Sequence, residues 1–272
     1  MNNKIGIGII SYKRPEFFKA CIDSIPDGIG AICVVNDDPA GYPRDIYPKK
    51  IKQVLQHSKN LGVACAKNNA LRYLIQDGCD HLFLIEEDQQ ILDPKIFETY
   101  IKYSEKTGLW HWNFYGHGPA NKTPDGIKNP RQIIDYGEGF EVGFFPNCIG
   151  AFSYYLKNII RAVGYMDERF SSLRCWEHVE HTHRIIKAGL APAFWWFNDI
   201  LNSEQFIQEQ QNAMESSVIR HNNEEWNKNM NFGTALYQHL HGNIPTKVPD
   251  TSPENLIEIL NNIQKTYSRK VL

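Results

Sequence analysis

Glu86, Glu87 and Asp88 stand in a row directly after the apolar run His81-Leu-Phe-Leu-Ile85. Carboxylates this close repel one another, so the cluster calls for a cation among them. Hard oxygen ligands favour magnesium or manganese, and such an ion can bridge to phosphate oxygens. The plainer reading is an exposed acidic turn at a strand end. A second cluster, Trp176-Glu-His-Val-Glu-His-Thr-His-Arg184, puts Glu177 beside an aromatic residue at a helix start, a position suited to acid/base work. His178 and His181 are three apart and could share a zinc ion on one helix face. The order His-Glu-x-x-His is absent, however, and His183 falls on a different face, so these histidines read first as polar helix residues. Gly6-x-Gly8 suggests a dinucleotide fingerprint, but Ser11 stands where its third glycine belongs and both glycines lie inside a strand. Neither a P-loop lysine motif nor a Gly-x-Ser-x-Gly elbow is present.

These groups need elements to position them. Lys4 to Ile10 reads as a strand ending at Ser11-Tyr-Lys-Arg-Pro15, and Pro15 to Ile25 as a helix with proline in its first turn. Ile29 to Val35 is a second strand, halted by Asn36-Asp37-Asp38-Pro39. Gly62 to Ile75 reads as a helix, His81 to Ile85 as a third strand and Pro94 to Ser104 as a helix. Strands alternating with helices give a mostly parallel sheet flanked by helices, and ligands of such sheets gather beyond the carboxyl ends of the strands. Three strands here end in polar or acidic clusters. Gly108 to Phe145 has poor periodicity and predicts loops and short strands. The spacing then predicts helices over Ile149 to Val163 and Glu177 to Ala188. From Pro253, residues Leu256, Leu260, Ile263 and Tyr267 share one helical face. Core docking is the first reading of that stripe. Peripheral membrane contact is the alternative, with Lys265, Arg269 and Lys270 nearby.

The composition is that of a folded globular chain: 272 residues, 42% hydrophobic and 22% charged. Its 29 basic against 31 acidic residues leave a formal charge of −2, which argues against a general nucleic-acid binder. Six scattered cysteines form no Cys-x-x-Cys pair, so buried free thiols in a reducing cytoplasm are expected. No apolar run approaches the ~18 residues of a membrane span, and the N-terminal run is too short for a signal peptide.

Taken in order, these pieces resemble a known family. The strand with Ser-Tyr-Lys-Arg-Pro, then Val-Asn-Asp-Asp-Pro, then Asn60-Leu-Gly-Val-Ala-Cys-Ala-Lys-Asn68 is similar to the nucleotide-binding half of the GT-A-fold nucleotide-sugar glycosyltransferases, family 2 especially. Glu86-Glu-Asp88 falls where that family carries its Asp-x-Asp metal motif. Gly150-Ala-Phe-Ser-Tyr and Val163-Gly-Tyr-Met-Asp-Glu-Arg-Phe170 resemble its acceptor-side segment. Glu177 to Arg184 matches its Glu-Asp-x-Asp/Glu-x-x-x-Arg helix. Val218-Ile-Arg-His-Asn222 is similar to the metal-binding segment of Golgi galactosyltransferases.

The resemblance implies a GT-A α/β fold with a donor half (1–107), an acceptor half (108–245) and a C-terminal helical tail (246–272). It implies transfer from a nucleoside-diphosphate sugar, uridine-linked, to a glycan hydroxyl. Mn2+ or Mg2+ would be held by Asp88 with Glu86 and His221. Asp37 or Asp38 would meet the base or ribose, and Ser11, Arg14, Lys67 and Glu87 would join them on the donor side. Glu177 would be the catalytic base, with His178 its rival. Trp176 and Trp195-Trp196 could stack on sugar faces or pack in the core. Two departures stand out: His178 occupies the position of the usual Asp, and Lys67 replaces an Arg, losing its bidentate fork. The rival functions are a sugar-phosphate nucleotidyltransferase and a catalytically inactive nucleotide-sugar-binding module.

Overall fold

The computed structural model describes residues 4–173, 176–191, 197–218, 223–242 and 253–270. In chain order the elements are β1 (Ile5–Ser11), α1 (Pro15–Ser24), β2 (Ala31–Asn36), β3 (Ile51–Gln56), α2 (Val63–Gln76), β4 (His81–Glu86), β5 (Gln89–Ile91) and α3 (Ile96–Thr107). There follow β6 (His111–Asn113), β7 (Gln132–Asp135), β8 (Glu141–Phe145), β9 (Phe152–Leu156), α4 (Lys157–Val163), α5 (Glu177–Lys187), β10 (Phe197–Ile200), β11 (Ile207–Glu209), α6 (Asn223–His241) and α7 (Pro253–Lys270). The main sheet has the order β3-β2-β1-β4-β9-β6. Its first four strands are parallel, and β9 runs antiparallel to both neighbours. A three-stranded sheet β10-β8-β7 and a β11-β5 pair complete the strands.

Alternation along β1 divides the core. Ile7 and Ile9 face one layer, with Phe18 and Ile22 of α1, Phe97 and Tyr100 of α3, and Leu256 of α7. Gly6, Gly8 and Ile10 face the other, where α2 packs. A Cβ on Gly8 would lie 2.7 Å from the Ala70 Cβ, so the strand glycines exist to let α2 approach the sheet. That explains the Gly-x-Gly pattern without a dinucleotide.

One expectation changes and another is met. The segment predicted as one helix over Ile149 to Val163 is strand β9 followed by the short helix α4. Phe152-Ser-Tyr-Tyr-Leu156 is buried at every position between β4 and β6. A run buried on both faces shows no alternation, and periodicity does not separate it from a buried helix. The stripe of α7 docks in the core, its first reading: Leu256, Leu260 and Ile263 are buried in the layer that also holds α1 and α3. Tyr267, Arg269 and Lys270 have side chains outside the described residues, as do Trp195 and Trp196. Leu260→Ala should therefore destabilise the fold by about 2–5 kcal/mol, read as a lower midpoint in urea unfolding; an unchanged midpoint would contradict the docking. Among the described residues no helix is long and apolar enough to cross a membrane. The described cysteines, five of the six, are free thiols.

Candidate functional site

The chain runs outward through β1, β2 and β3, then returns to place β4 on the other side of β1. The carboxyl ends of β1 and β4 therefore mark a topological switch point, where open parallel sheets bind ligands. A cleft opens there. One compartment is lined by Ser11, Arg14, Asp37, Asn60, Gly62, Glu86 and Glu87. The other is lined by Arg14, Glu86, Asp88, His117, Gly150, Glu177 and His178. Arg14, Val63, Glu86 and Ser217 border both, so the two are continuous. With open solvent included, their empty volumes are about 540 and 890 Å3.

The acidic row does not wait for an external cation. Arg14 Nε donates to Glu87 Oε1 at 2.9 Å and its Nη2 to Asp88 Oδ2 at 2.9 Å. Lys67 Nζ meets Glu86 Oε1 at 2.8 Å. Burial pushes the Glu87 carboxyl up, Arg14 pulling it back and the Asp88 charge adding to the rise. For Asp88 burial also opposes ionisation, but His117, Arg14 and a hydrogen bond from Gln89 outweigh it and hold the carboxyl below its usual range. Asp88 is thus held ionised where it faces the larger compartment.

Lys67 lies behind the wall rather than on it. It is 1% exposed, and its ammonium also reaches the Gly150 carbonyl at 2.9 Å and Glu177 Oε1 at 3.2 Å. The expectation of a direct donor contact from Lys67 is corrected: a buried ammonium with three protein acceptors has no proton left to offer a ligand. Asp38 is likewise buried beside the cleft and not among its lining; its Oδ1 accepts the Ala40 amide at 3.1 Å. Ser11 lines the cleft, its Oγ 2.8 Å from the Tyr42 hydroxyl. His221 lies outside the described residues; Ser217 and Val218, just before it in the chain, line the cleft.

Glu177 and His178 open α5. Trp176 caps that helix with a left-handed φ of 66°, uncommon for a bulky residue, and its Nε1 donates to Thr234 Oγ1 at 3.2 Å. Glu177 Oε1 lies 3.0 Å from His178 Nδ1. Burial works against the Glu177 charge, yet His178 and Lys67, with hydrogen bonds from His178 and the backbone, override it and hold the carboxyl far below the usual range. The two neighbours differ in access: the Glu177 side chain is 4% exposed and that of His178 is 21%. Gly150 makes room for the ring, since a Cβ there would lie 2.7 Å from His178 Cγ. The other α5 histidines go elsewhere: His181 Nε2 meets the Gly164 carbonyl at 2.9 Å and His183 Nδ1 meets the Tyr237 hydroxyl at 2.6 Å. Among the described residues no three His, Cys, Asp or Glu side chains are grouped to hold a metal.

The structure adds His117, which the sequence reading missed. Its Nδ1 lies 3.1 Å from Glu209 Oε1, and Glu209 Oε2 accepts the Gly118 amide at 2.9 Å. The signal was a lone histidine between Gly116 and Gly118 in a loop, a setting where polar side chains serve function more often than packing.

At the level of sequence, no family model and no curated protein matches the chain. Solved structures do. S. aureus TarS superimposes with a TM-score of 0.53 at 12% identity, covering 96% of this chain and 42% of that one. Its fragment 1–349 gives 0.53 at 14% identity, with 98% and 73% covered. The mannosyltransferase PcManGT of Pyrobaculum calidifontis, in complex with GDP-Man and Mn2+, gives 0.54 at 12% identity, with 98% and 73% covered. This chain thus spans less than half of that first TarS chain. At these identities the likeness is one of architecture: a mostly parallel α/β sheet flanked by helices, in the GT-A-like glycosyltransferase fold.

Proposed function

We propose that this chain is a metal-assisted glycosyltransferase that moves a sugar from a nucleoside-diphosphate sugar, uridine-linked, to a hydroxyl of a glycan acceptor. One observation carries the reading: at the switch point, an ionised Asp88 and a Glu177–His178 pair, its histidine the more accessible member, face the same cleft. PcManGT, which has the same architecture, was solved with GDP-Man and Mn2+.

The donor set suits such a cation. Asp88 offers carboxylate lone pairs beyond those facing Arg14 and Gln89. One or two carboxylates plus substrate phosphates is the usual arrangement for magnesium, in place of an all-protein cage. Asp88 would hold the ion, with Glu86 at the cleft edge and His221 as a further ligand. When bound, the ion neutralises charge on the departing diphosphate. Arg14, shared between both compartments, would bind phosphate oxygens. Asp37 and Ser11 would border the nucleoside.

On the acceptor side, His178 would take the hydroxyl proton. Its Nδ1 is engaged by Glu177, so Nε2 is the ring nitrogen left to accept, and the Glu177 carboxylate would stabilise the imidazolium as it forms. Glu177 itself is too strongly held as an anion, and too buried, to be the better base. The reading therefore moves the base from Glu177 to its rival and makes Glu177 the residue that orients it.

Calorimetric titration with UDP and GDP, with and without Mn2+, tests donor binding. UDP with Mn2+ should bind and raise the melting temperature, since a ligand of the folded state stabilises by mass action. Asp88→Asn should lose the manganese-dependent part with the fold intact. No binding of either nucleotide under any condition would contradict the proposal.

A further inference from the structure

Asp37 closes β2 and lines the cleft, yet most of its carboxylate is already engaged. Oδ1 accepts the Leu61 amide at 2.8 Å and Oδ2 the Gly62 amide at 2.8 Å. His57 Nδ1, from the residue after β3, lies 2.7 Å from Oδ1. A carboxylate has about four acceptor positions, so among the described residues one remains for the cleft. Asn60, Gly62 and Val63 form the wall beside it.

The tautomer of His57 follows from its neighbours. Arg72 Nη1 donates to Asn69 Oδ1 at 2.9 Å, which fixes the orientation of that amide. Asn69 therefore turns its NH2 group toward His57, with Nδ2 2.9 Å from Nε2. Nε2 must accept, the ring hydrogen sits on Nδ1, and His57 donates to Asp37. Arg72 is itself tied to Glu168 at 2.8 Å. A directed chain thus runs from Arg72 through Asn69 and His57 to Asp37 at the cleft wall, with Glu168 anchoring the arginine. His57 is buried and is not part of the cleft lining.

We propose that His57 is a positioning residue for the nucleoside half of the donor. Held in its Nδ1–H form by Asn69, it fixes Asp37 and, through Asp37, the Leu61–Gly62 wall. One carboxylate lone pair is then aimed in advance at a nucleoside hydroxyl or ring N–H, so that binding carries no cost of ordering the wall. This inference rests on the donor-binding reading above. Any ligand without a nucleoside falls outside it.

The test compares His57→Leu, which removes the donor, with His57→Asn, whose amide nitrogen replaces Nδ1. Each is titrated with UDP and with inorganic pyrophosphate in the presence of Mn2+. His57→Leu should weaken UDP about tenfold or more, the loss expected for a hydrogen bond to a charged group. Pyrophosphate binding should stay within about twofold, and His57→Asn should restore most of the UDP affinity. Long-range proton–nitrogen NMR of the wild type should show the hydrogen on Nδ1. UDP affinity unchanged in His57→Leu, equal weakening of UDP and pyrophosphate, or a ring protonated on Nε2 would each overturn the proposal. Failure of the wild type to bind UDP would instead overturn the donor-binding reading on which it stands.

Discussion

Replacing His178 with alanine should slow sugar transfer about 10²–10⁴-fold, the usual cost of losing a general base, while donor binding stays nearly intact. Glu177→Gln should cost less. It keeps a hydrogen-bond partner near the ring but loses the charge that stabilises the imidazolium. The motif alone ranks the two the other way, because the glutamate is the part of the helix pattern this chain retains. Geometry reverses the ranking: Lys67 and His178 both converge on Glu177 Oε1. A carboxylate so placed gives up its charge only in strong acid. Its contribution to stability is present above the usual carboxylate range and is lost only as pH falls through the depressed folded value. Any acid limb of the pH–rate profile should therefore owe nothing to Glu177. A larger loss in Glu177→Gln than in His178→Ala would restore the carboxylate as base. Transfer at the normal rate in both would remove both from the chemistry.

Lys67→Met should destabilise the protein by about 3–5 kcal/mol, the cost of leaving a buried charge without its partner. The ammonium joins β4 through Glu86, α5 through Glu177 and the segment before β9 through Gly150. Without it, among the described residues, the Glu177 carboxylate keeps the His178 ring as its side-chain partner. The double variant Lys67→Met, Glu177→Gln should recover part of the loss, because the stranded charge goes with its partner. Chemical unfolding of the two single variants and the double variant measures this. A Lys67→Met protein as stable as the wild type would show that the network does not hold these elements together.

Much of residues 4–107 is legible in the sequence because its signals are local. Pro15 opens α1, and Phe18, Cys21 and Ile22 fall on its buried face as spacing demands. The acidic row ends β4, where the alternating pattern places a ligand site. What the sequence conceals is pairing across distance. Lys67 and Glu177 are 110 positions apart, and their contact turns an expected donor-side contact into a buried tie. Arg14 answers the repulsion among Glu87 and Asp88 that composition alone assigns to a metal. Asp37 reads as a nucleoside contact, but its engagement by Leu61, Gly62 and His57 depends on three segments meeting in space. Strand β9 is hidden for another reason: a short strand buried on both faces carries no period that distinguishes it from a helix. His117 gave only the weak sign of a histidine between glycines.

Donor turnover is measured directly by release of nucleoside diphosphate. The protein is incubated with UDP-linked and GDP-linked sugars and Mn2+, with product followed over time. Release of nucleoside diphosphate from at least one donor is expected, suppressed by chelator, abolished in Asp88→Asn and slowed in His178→Ala. No release from any donor, or release that Asp88→Asn and chelator leave untouched, would contradict the assignment.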